Sequence, residues 1–262
     1  MSAATIRYEA AGGIARVVID QPAKMNAMSF DMWSMLPEAV ARGEADPAVR
    51  AIVLTGEGER AFCAGADISQ FGERRTGDEA VAAYERAVKA GNAALQNASK
   101  PTIAVIRGIC FGGGLGLALA CDLRFCASGS RFRLPAARLG LGYPFAGVRL
   151  LAQTVGVPAA ADIALSARVL DAAEAERVGL VNKCWPDTEF EAEMGAYLAQ
   201  VAVNAPLTLK AMKRALLELA RPEAEQDAAA VDALVQACFR SADYKEGQTA
   251  FREKRDPMFR GE

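Results

Sequence analysis

Short runs of β-branched and apolar residues alternate with longer amphipathic stretches through the first part of the chain. Residues 15–20 read as a strand, and Ser29 is placed to cap a helix running to Arg42. Residues 49–55 read as a second strand closed by Gly56, residues 79–98 as a helix, and residues 102–106 as a buried strand behind Pro101. Repeated strand and helix units predict an α/β fold. Beyond Gly156 the pattern turns helical, over 190–203, 207–219, 224–239 and 244–254, with only 180–185 strand-like. Breaks at Asn204-Ala205-Pro206 and Arg221-Pro222 put a boundary near Asn204. The expected organisation is an α/β core over 1–204 and a helical region over 205–262.

A chain of 262 residues with 52% hydrophobic side chains can bury a substantial core. The segment from Met1 to Tyr8 has no apolar run behind a basic stretch, and the apolar stretches further on are interrupted by Gly, Asp and Arg. Neither a leader nor a membrane partner is expected. With 30 basic against 32 acidic side chains, the net charge of -2 gives no field for nucleic acid, which points to a small-molecule partner. The cysteines Cys63, Cys110, Cys121, Cys126, Cys184 and Cys238 show no C-x-x-C spacing and read as buried, reduced thiols of a cytoplasmic protein. Histidine is absent altogether. That excludes Ser-His-Asp and Cys-His catalysis and the usual mixed zinc sites, and leaves carboxylates, Tyr, Lys, Cys and backbone amides to do chemistry.

Two segments stand out. Arg60-Ala61-Phe62-Cys63-Ala64-Gly65-Ala66-Asp67-Ile68 follows a strand with small residues where the backbone must bend. Such a loop can aim N–H groups at a ligand, and it equally fits an ordinary surface turn. Residues 108–122, Gly-Ile-Cys-Phe-Gly-Gly-Gly-Leu-Gly-Leu-Ala-Leu-Ala-Cys-Asp, read as a strand exit, a glycine cluster and an apolar helix. A buried helix starting at Gly113 turns its unpaired N–H groups and positive dipole end toward developing negative charge. Close helix packing explains the same glycines. There is no G-x-x-x-x-G-K-[ST], and no acid stands where a dinucleotide fingerprint requires one.

Together, A-F-C-A-G-A-D-I at 61–68 and G-x-x-x-G-G-G-x-G-x-A-L-A-C-D at 108–122 resemble the enoyl-CoA hydratase/isomerase (crotonase) family. The resemblance extends over nearly the whole chain. It takes in Gln21-Pro22-Ala23-Lys24-Met25-Asn26-Ala27, the stretch from Ala173 to Val181, Tyr244-Lys245-Glu246-Gly247 and Phe251-Arg252-Glu253-Lys254-Arg255. It implies a spiral of β-β-α turns with a helical C-terminal region that builds a homotrimer or homohexamer. The implied substrate is an acyl-CoA thioester, with coenzyme A arriving as part of it and no resident cofactor or metal. Residue by residue, the resemblance makes Ala66 and Gly113 the backbone donors of an oxyanion hole. It sets Ala64, Ala66 and Ile68, with Asp67 in the same segment, beside the CoA adenine, and Lys24 near the nucleotide phosphates. It sets Phe251 and Lys254 against the CoA of a neighbouring subunit.

The chain departs from the family where hydratases carry two acid/base glutamates: those positions are Gly116 and Ala136. Positioned proton transfer contributes about 10²- to 10⁴-fold, so water addition to a double bond is expected to be impaired. Tyr143 falls in the segment that lines the acyl pocket of relatives. A tyrosine stands in a similar place in the family's methylmalonyl-CoA decarboxylases; the residue also fits an amphipathic core edge. Asp67 and Asp122 suit turn capping. Glu73, Asp78 and Glu79 form a charged stretch from which a base could swing in, and Arg133, Arg138 and Arg149 bracket Tyr143. Three readings stay open: a hydratase/isomerase with other acid/base groups, a decarboxylase of a malonyl-type CoA thioester, and a silent acyl-CoA-binding protein.

Overall fold

The computed structural model describes residues 4–67, 69 and 78–262. The chain runs β1 (Thr5–Ala11), β2 (Ile14–Asp20), α1 (Phe30–Ala45), β3 (Ala51–Gly56), β4 (Ala61–Cys63), α2 (Asp78–Asn97), β5 (Thr102–Ile106), β6 (Ile109–Phe111) and α3 (Gly113–Ala120). It continues through β7 (Leu123–Ala127), β8 (Arg131–Arg133), α4 (Phe145–Ser166), β9 (Leu170–Asp171), α5 (Ala172–Arg177) and β10 (Lys183–Trp185). The helices α6 (Phe190–Ala202), α7 (Pro206–Leu219), α8 (Ala228–Arg240) and α9 (Ala242–Glu253) complete it.

From β3 to β8 successive strands alternate between two sheets. A six-stranded sheet has the order β1-β2-β3-β5-β7-β10 and a four-stranded one the order β4-β6-β8-β9. From β2 to β10 the larger sheet is parallel, with Leu54 opposite Ala104 and Val105 opposite Phe125. Each turn of the spiral thus lays one strand in the large sheet, one in the small sheet, and a helix across them. Parallel strands covered on both faces call for continuous apolar runs, and β5 is buried at every position. Each fully buried Ile or Leu of these strands contributes roughly 1.5–3 kcal/mol. Ser29 caps α1 as its type and position predict, accepting from the Met32 N–H.

Several elements depart from the sequence expectation. β1 was not foreseen, because Thr-Ile-Arg-Tyr-Glu-Ala-Ala is an edge strand with an exposed end and no apolar run. β4, β6 and β8 are three residues each, too short to leave a periodic signal. The strand expected over 180–185 shrinks to Lys183–Trp185, because Leu180 N–H turns back to the Ala175 carbonyl to close α5. Helix α4 starts at Phe145, well before Gly156, which is itself a non-helical kink inside it. Among the described residues it is the one helix long and apolar enough to cross a membrane, although the apolar stretches were expected to be too interrupted. It packs Leu151, Ala160 and Ile163 into the core. Cys184 and Cys238 are half-buried rather than buried, while the other four cysteines are buried as expected.

Candidate active site

The small sheet brings the two signature segments together. β4 and β6 are parallel neighbours, with Ala61 opposite Ile109 and Cys63 opposite Cys110, so both chains leave the same edge side by side. The loop after β4 is then latched to the turn at 25–28, where Met25 and Asn26 adopt left-handed conformations. Ala64 N–H donates to Met25 O (3.0 Å), Met28 N–H to Gly65 O (2.7 Å) and Asp67 N–H to Met28 O (2.9 Å). Asn26 is buried and holds this turn: its Nδ2 donates to Glu57 O and Ala61 O, and its Oδ1 accepts from Gln21 N–H. Because the pairing uses alternate groups, the Ala66 N–H faces away from the latch. It has no hydrogen-bond partner among the described residues.

The second donor comes from α3. Gly112 precedes it at φ 52°, a conformation that favours glycine, and its N–H donates to Arg133 O at 2.9 Å. Gly113 is the first helical residue, so its N–H has no intrahelical acceptor and none elsewhere among the described residues. A Cβ on Gly113 would lie 3.6 Å from Ala66 N, and one on Gly65 would lie 3.4 Å from Gly113 N. Two N–H groups without partners among the described residues therefore lie close together, one of them at the positive end of a helix dipole. The same Gly113 Cβ would lie 3.3 Å from the buried Trp33 ring, whose Nε1 donates to Tyr84 Oη (3.2 Å). A Cβ on Gly114 would overlap the Cys63 carbonyl, so the helix sits directly on β4.

Titratable groups are sparse here. Burial pushes the Cys63 thiol up to about 12, which keeps it neutral and unreactive at pH 7. Burial raises Asp67, but the bonds from Lys24 Nζ (2.7 Å) and from the Ser69 hydroxyl and N–H outweigh it and hold the carboxyl below its ordinary value. Lys24 also bonds Ser69 Oγ (2.8 Å) and is half-exposed. Asp122 accepts from Thr102 and pairs with Lys213 at 2.8 Å, away from this site.

Tyr143 does reach the site. Its hydroxyl would lie 3.8 Å from a Cβ on Gly116, one turn along α3 from Gly113, and it has no hydrogen-bond partner among the described residues. Burial pushes its pKa above the usual phenol value. Asn92 of α2, which the sequence reading passed over, lies across from it with Oδ1 3.9 Å from the same point. Ala136 follows Pro135, which packs at 3.6 Å against the space beside Gly112.

The remaining candidates stand elsewhere. Asp78 and Glu79 are exposed at the start of α2; Ile68 and Glu73 lie outside the described residues. Arg133 is turned to Ala167 O at 2.7 Å, and Arg138 and Arg149 are exposed. Phe251 is 85% exposed on α9 and Lys254 caps that helix; no hydrogen bond joins either to the cluster around Ala66 among the described residues.

Comparisons with known proteins agree over the full length. The model of the family described as "Enoyl-CoA hydratase/isomerase" matches residues 9–262. The chain is similar to the short-chain-enoyl-CoA hydratase of Clostridium acetobutylicum, 32% identical over 253 residues and covering 94% of each chain. It is also similar to the crotonyl-CoA hydratase of Syntrophomonas wolfei, 33% identical with 94% of each covered. Among solved structures, an enoyl-CoA hydratase/carnithine racemase from Magnetospirillum magneticum superposes with a TM-score of 0.92 at 33% identity, over 100% of this chain and 97% of that one.

Proposed function

Because the chain belongs to the enoyl-CoA hydratase/isomerase family, we propose that it takes an acyl-CoA thioester and cradles the carbonyl oxygen between the N–H groups of Ala66 and Gly113. The juxtaposition of those two unpartnered donors carries the reading. As the thioester becomes enolate-like, negative charge gathers on that oxygen. One preorganised donor at such a position contributes about 2.7–4 kcal/mol to the transition state. Backbone donors need no particular side chain, so Ala and Gly suffice.

Tyr143 is the acid or hydrogen-bond donor of this reading, neutral at pH 7 and aimed over Gly116. Lys24, Ala64, Asp67 and Ile68 contact the nucleotide end of CoA. Phe251 and Lys254 meet the CoA of a neighbouring copy in a cytoplasmic homotrimer or homohexamer, which the 205–262 helices assemble. The exposure of Leu216, Leu219 and Phe251 supports that assembly. With Gly116 and Ala136 in place of the two glutamates, hydration of a simple enoyl-CoA is slow, and the family's lyase or isomerase chemistry runs on other groups. Decarboxylation of a malonyl-type thioester is the second reading. Loss of CO2 generates the enolate without a base, and the unpartnered Tyr143 hydroxyl can protonate it.

Turnover of crotonyl-, 3-enoyl- and methylmalonyl-CoA tests these readings. Slow hydration of crotonyl-CoA that rises in Gly116→Glu/Ala136→Glu supports the first. CO2 release from methylmalonyl-CoA selects the second, and CoA-ester binding without any turnover selects a silent binder. Crotonyl-CoA turnover on the order of 10³ per second, at the upper end of the usual range, overturns the assignment of a crippled hydratase.

A further inference from the structure

Strand pairing sets four of the six cysteines in two pairs. Cys63 lies opposite Cys110 on β4 and β6, and Cys126 lies opposite Cys184 on β7 and β10. The first pair is sealed, with both residues fully buried. The second is not. β10 is the last strand of the six-stranded sheet, and there Cys184 is half-buried over the buried Cys126. Residues paired in register share a sheet face. Cys126 and Cys184 accordingly pack with the core cluster that holds Leu180 and Val181, whereas Phe125, Ala127 and Trp185 belong to the cluster on the opposite face. Neighbouring strands lie about 4.8 Å apart, inside the range of roughly 4.4–6.8 Å between Cα atoms that a disulfide spans.

The two sulfurs are also hydrogen-bonded, with Cys126 as donor and Cys184 as acceptor. Burial raises both thiols; the bond raises Cys126 further and pulls Cys184 back, so Cys184 is the sulfur that ionises first and the one that solvent reaches. We infer that Cys126 and Cys184 form a redox-active dithiol, which hydroperoxides close to a disulfide. The Cys184 thiolate attacks the O–O bond and keeps one oxygen as a sulfenic acid, while the other oxygen leaves as an alcohol or, from hydrogen peroxide, as water, protonated by solvent. The Cys126 sulfur then displaces hydroxide from that sulfenic acid, forming the S–S bond, and its proton leaves with the hydroxide as water. The dithiol gives up two electrons and the peroxide takes them. A small thiol in excess reopens the bridge by exchange. None of this depends on the acyl-CoA reading.

Mass spectrometry of the folded protein after treatment with hydrogen peroxide tests it. The wild type should become lighter by about 2 Da, the two hydrogens lost on closing a disulfide, and should show two of its six thiols missing when alkylated after denaturation. A tryptic digest should then yield the peptides 125–131 and 184–210 joined to each other, and separate after reduction. Cys184→Ser should keep every remaining thiol under the same treatment. Cys126→Ala, which leaves an apolar side chain in the core, should stop at a sulfenic acid on Cys184 that a 1,3-diketone traps. A wild type that keeps all six thiols overturns the inference, as does over-oxidation of Cys184 without a bridge. A bridge that includes Cys238, or the same loss of two thiols in Cys184→Ser, overturns it equally.

Discussion

The two ends of α3 carry opposite polar groups and meet opposite environments. At its C-terminal end the carbonyls are engaged. The buried Arg124 guanidinium donates to Cys121 O (2.8 Å) and Leu180 O (2.9 Å), with Ala118 O at 3.5 Å, and Asp122 just beyond is closed by Thr102 and Lys213. A cavity of about 650 Å³ opens there, lined by Asp122, Arg149, Lys210 and Lys213 among others. At the N-terminal end neither the Gly113 N–H nor the neighbouring Ala66 N–H meets an acceptor among the described residues. Room alone does not identify the chemistry. A cation stands at the negative pole of this helix dipole, and the end without acceptors is the one that the proposed function gives to the thioester oxygen.

The strongest way to break this contrast is Gly113→Pro, which deletes the helix-end donor. Proline fits the first helical position, so α3 can still form. Turnover on the thioester the enzyme processes should fall by at least about 10²- to 10³-fold while CoA-ester binding persists, as kcat and Kd measured separately would show. Gly113→Ala keeps the N–H and adds a methyl 3.3 Å from the Trp33 ring. It should cost less than about tenfold, a small fraction of what removing a preorganised donor costs. If the two variants lose activity equally, crowding rather than the donor is responsible.

Next comes Tyr143→Phe, which preserves the ring and removes a hydroxyl with no protein partner among the described residues. The expected loss in kcat is about 10²-fold, with an unchanged melting temperature. A donor must stay protonated, and burial raises this phenol above its ordinary value. The alkaline limb of the pH–rate profile should therefore lie above pH ~10, the reference for tyrosine. Wild-type turnover in the variant would end the tyrosine's role and return the search to Glu73, Asp78 and Glu79.

Arg124→Met attacks the satisfied end. It orphans buried carbonyls, each at a cost of about 1–3 kcal/mol, partly recovered by relaxation. A net loss of about 2–3 kcal/mol lowers the melting temperature by roughly 5–10 °C for a chain of this size. The folded variant should turn over normally, since the reacting end of the helix is untouched. A loss of kcat without a loss of stability would show that the two ends are not independent.

Much of this was legible in the chain itself, for identifiable reasons. β5 and α1 were placed by an apolar run after Pro101 and by a capping serine, signals that operate within a few residues. The loop around Ala66 and the start of α3 were singled out because small residues crowd where backbone must approach backbone. What could not be read is what depends on distant pairing. Only the parallel pairing of β4 with β6 brings Ala66 and Gly113 together, and these strands are too short to announce themselves. Arg124 carries no signal in the sequence, because the carbonyls it serves come together only in the fold. Asn92, half-buried on an amphipathic helix, acquires meaning only beside a glycine from another turn of the spiral. Asn26 was visible as one letter of a motif; its work, holding the turn that leaves the Ala66 N–H free, belongs to three segments at once.

The smallest expected effect is the most discriminating for α3 as a piece of helix. Gly116 has ordinary helical geometry, and a methyl group there would lie 3.8 Å from Tyr143 Oη and 3.9 Å from Asn92 Oδ1, with nothing closer. No packing demands glycine at that position. Glycine inside a helix costs about 0.8–1 kcal/mol relative to alanine, so Gly116→Ala should stabilise the protein by that amount and raise the melting temperature by about 2–4 °C. If the position is glycine to keep space for a substrate group, the stabilised variant should at the same time lose turnover of its best substrate. Differential scanning calorimetry with parallel kinetics separates the cases. A higher melting temperature with reduced kcat/KM marks stability given up for function. A higher melting temperature with unchanged kinetics makes Gly116 an incidental glycine, and a lower melting temperature shows that the space is needed for packing after all.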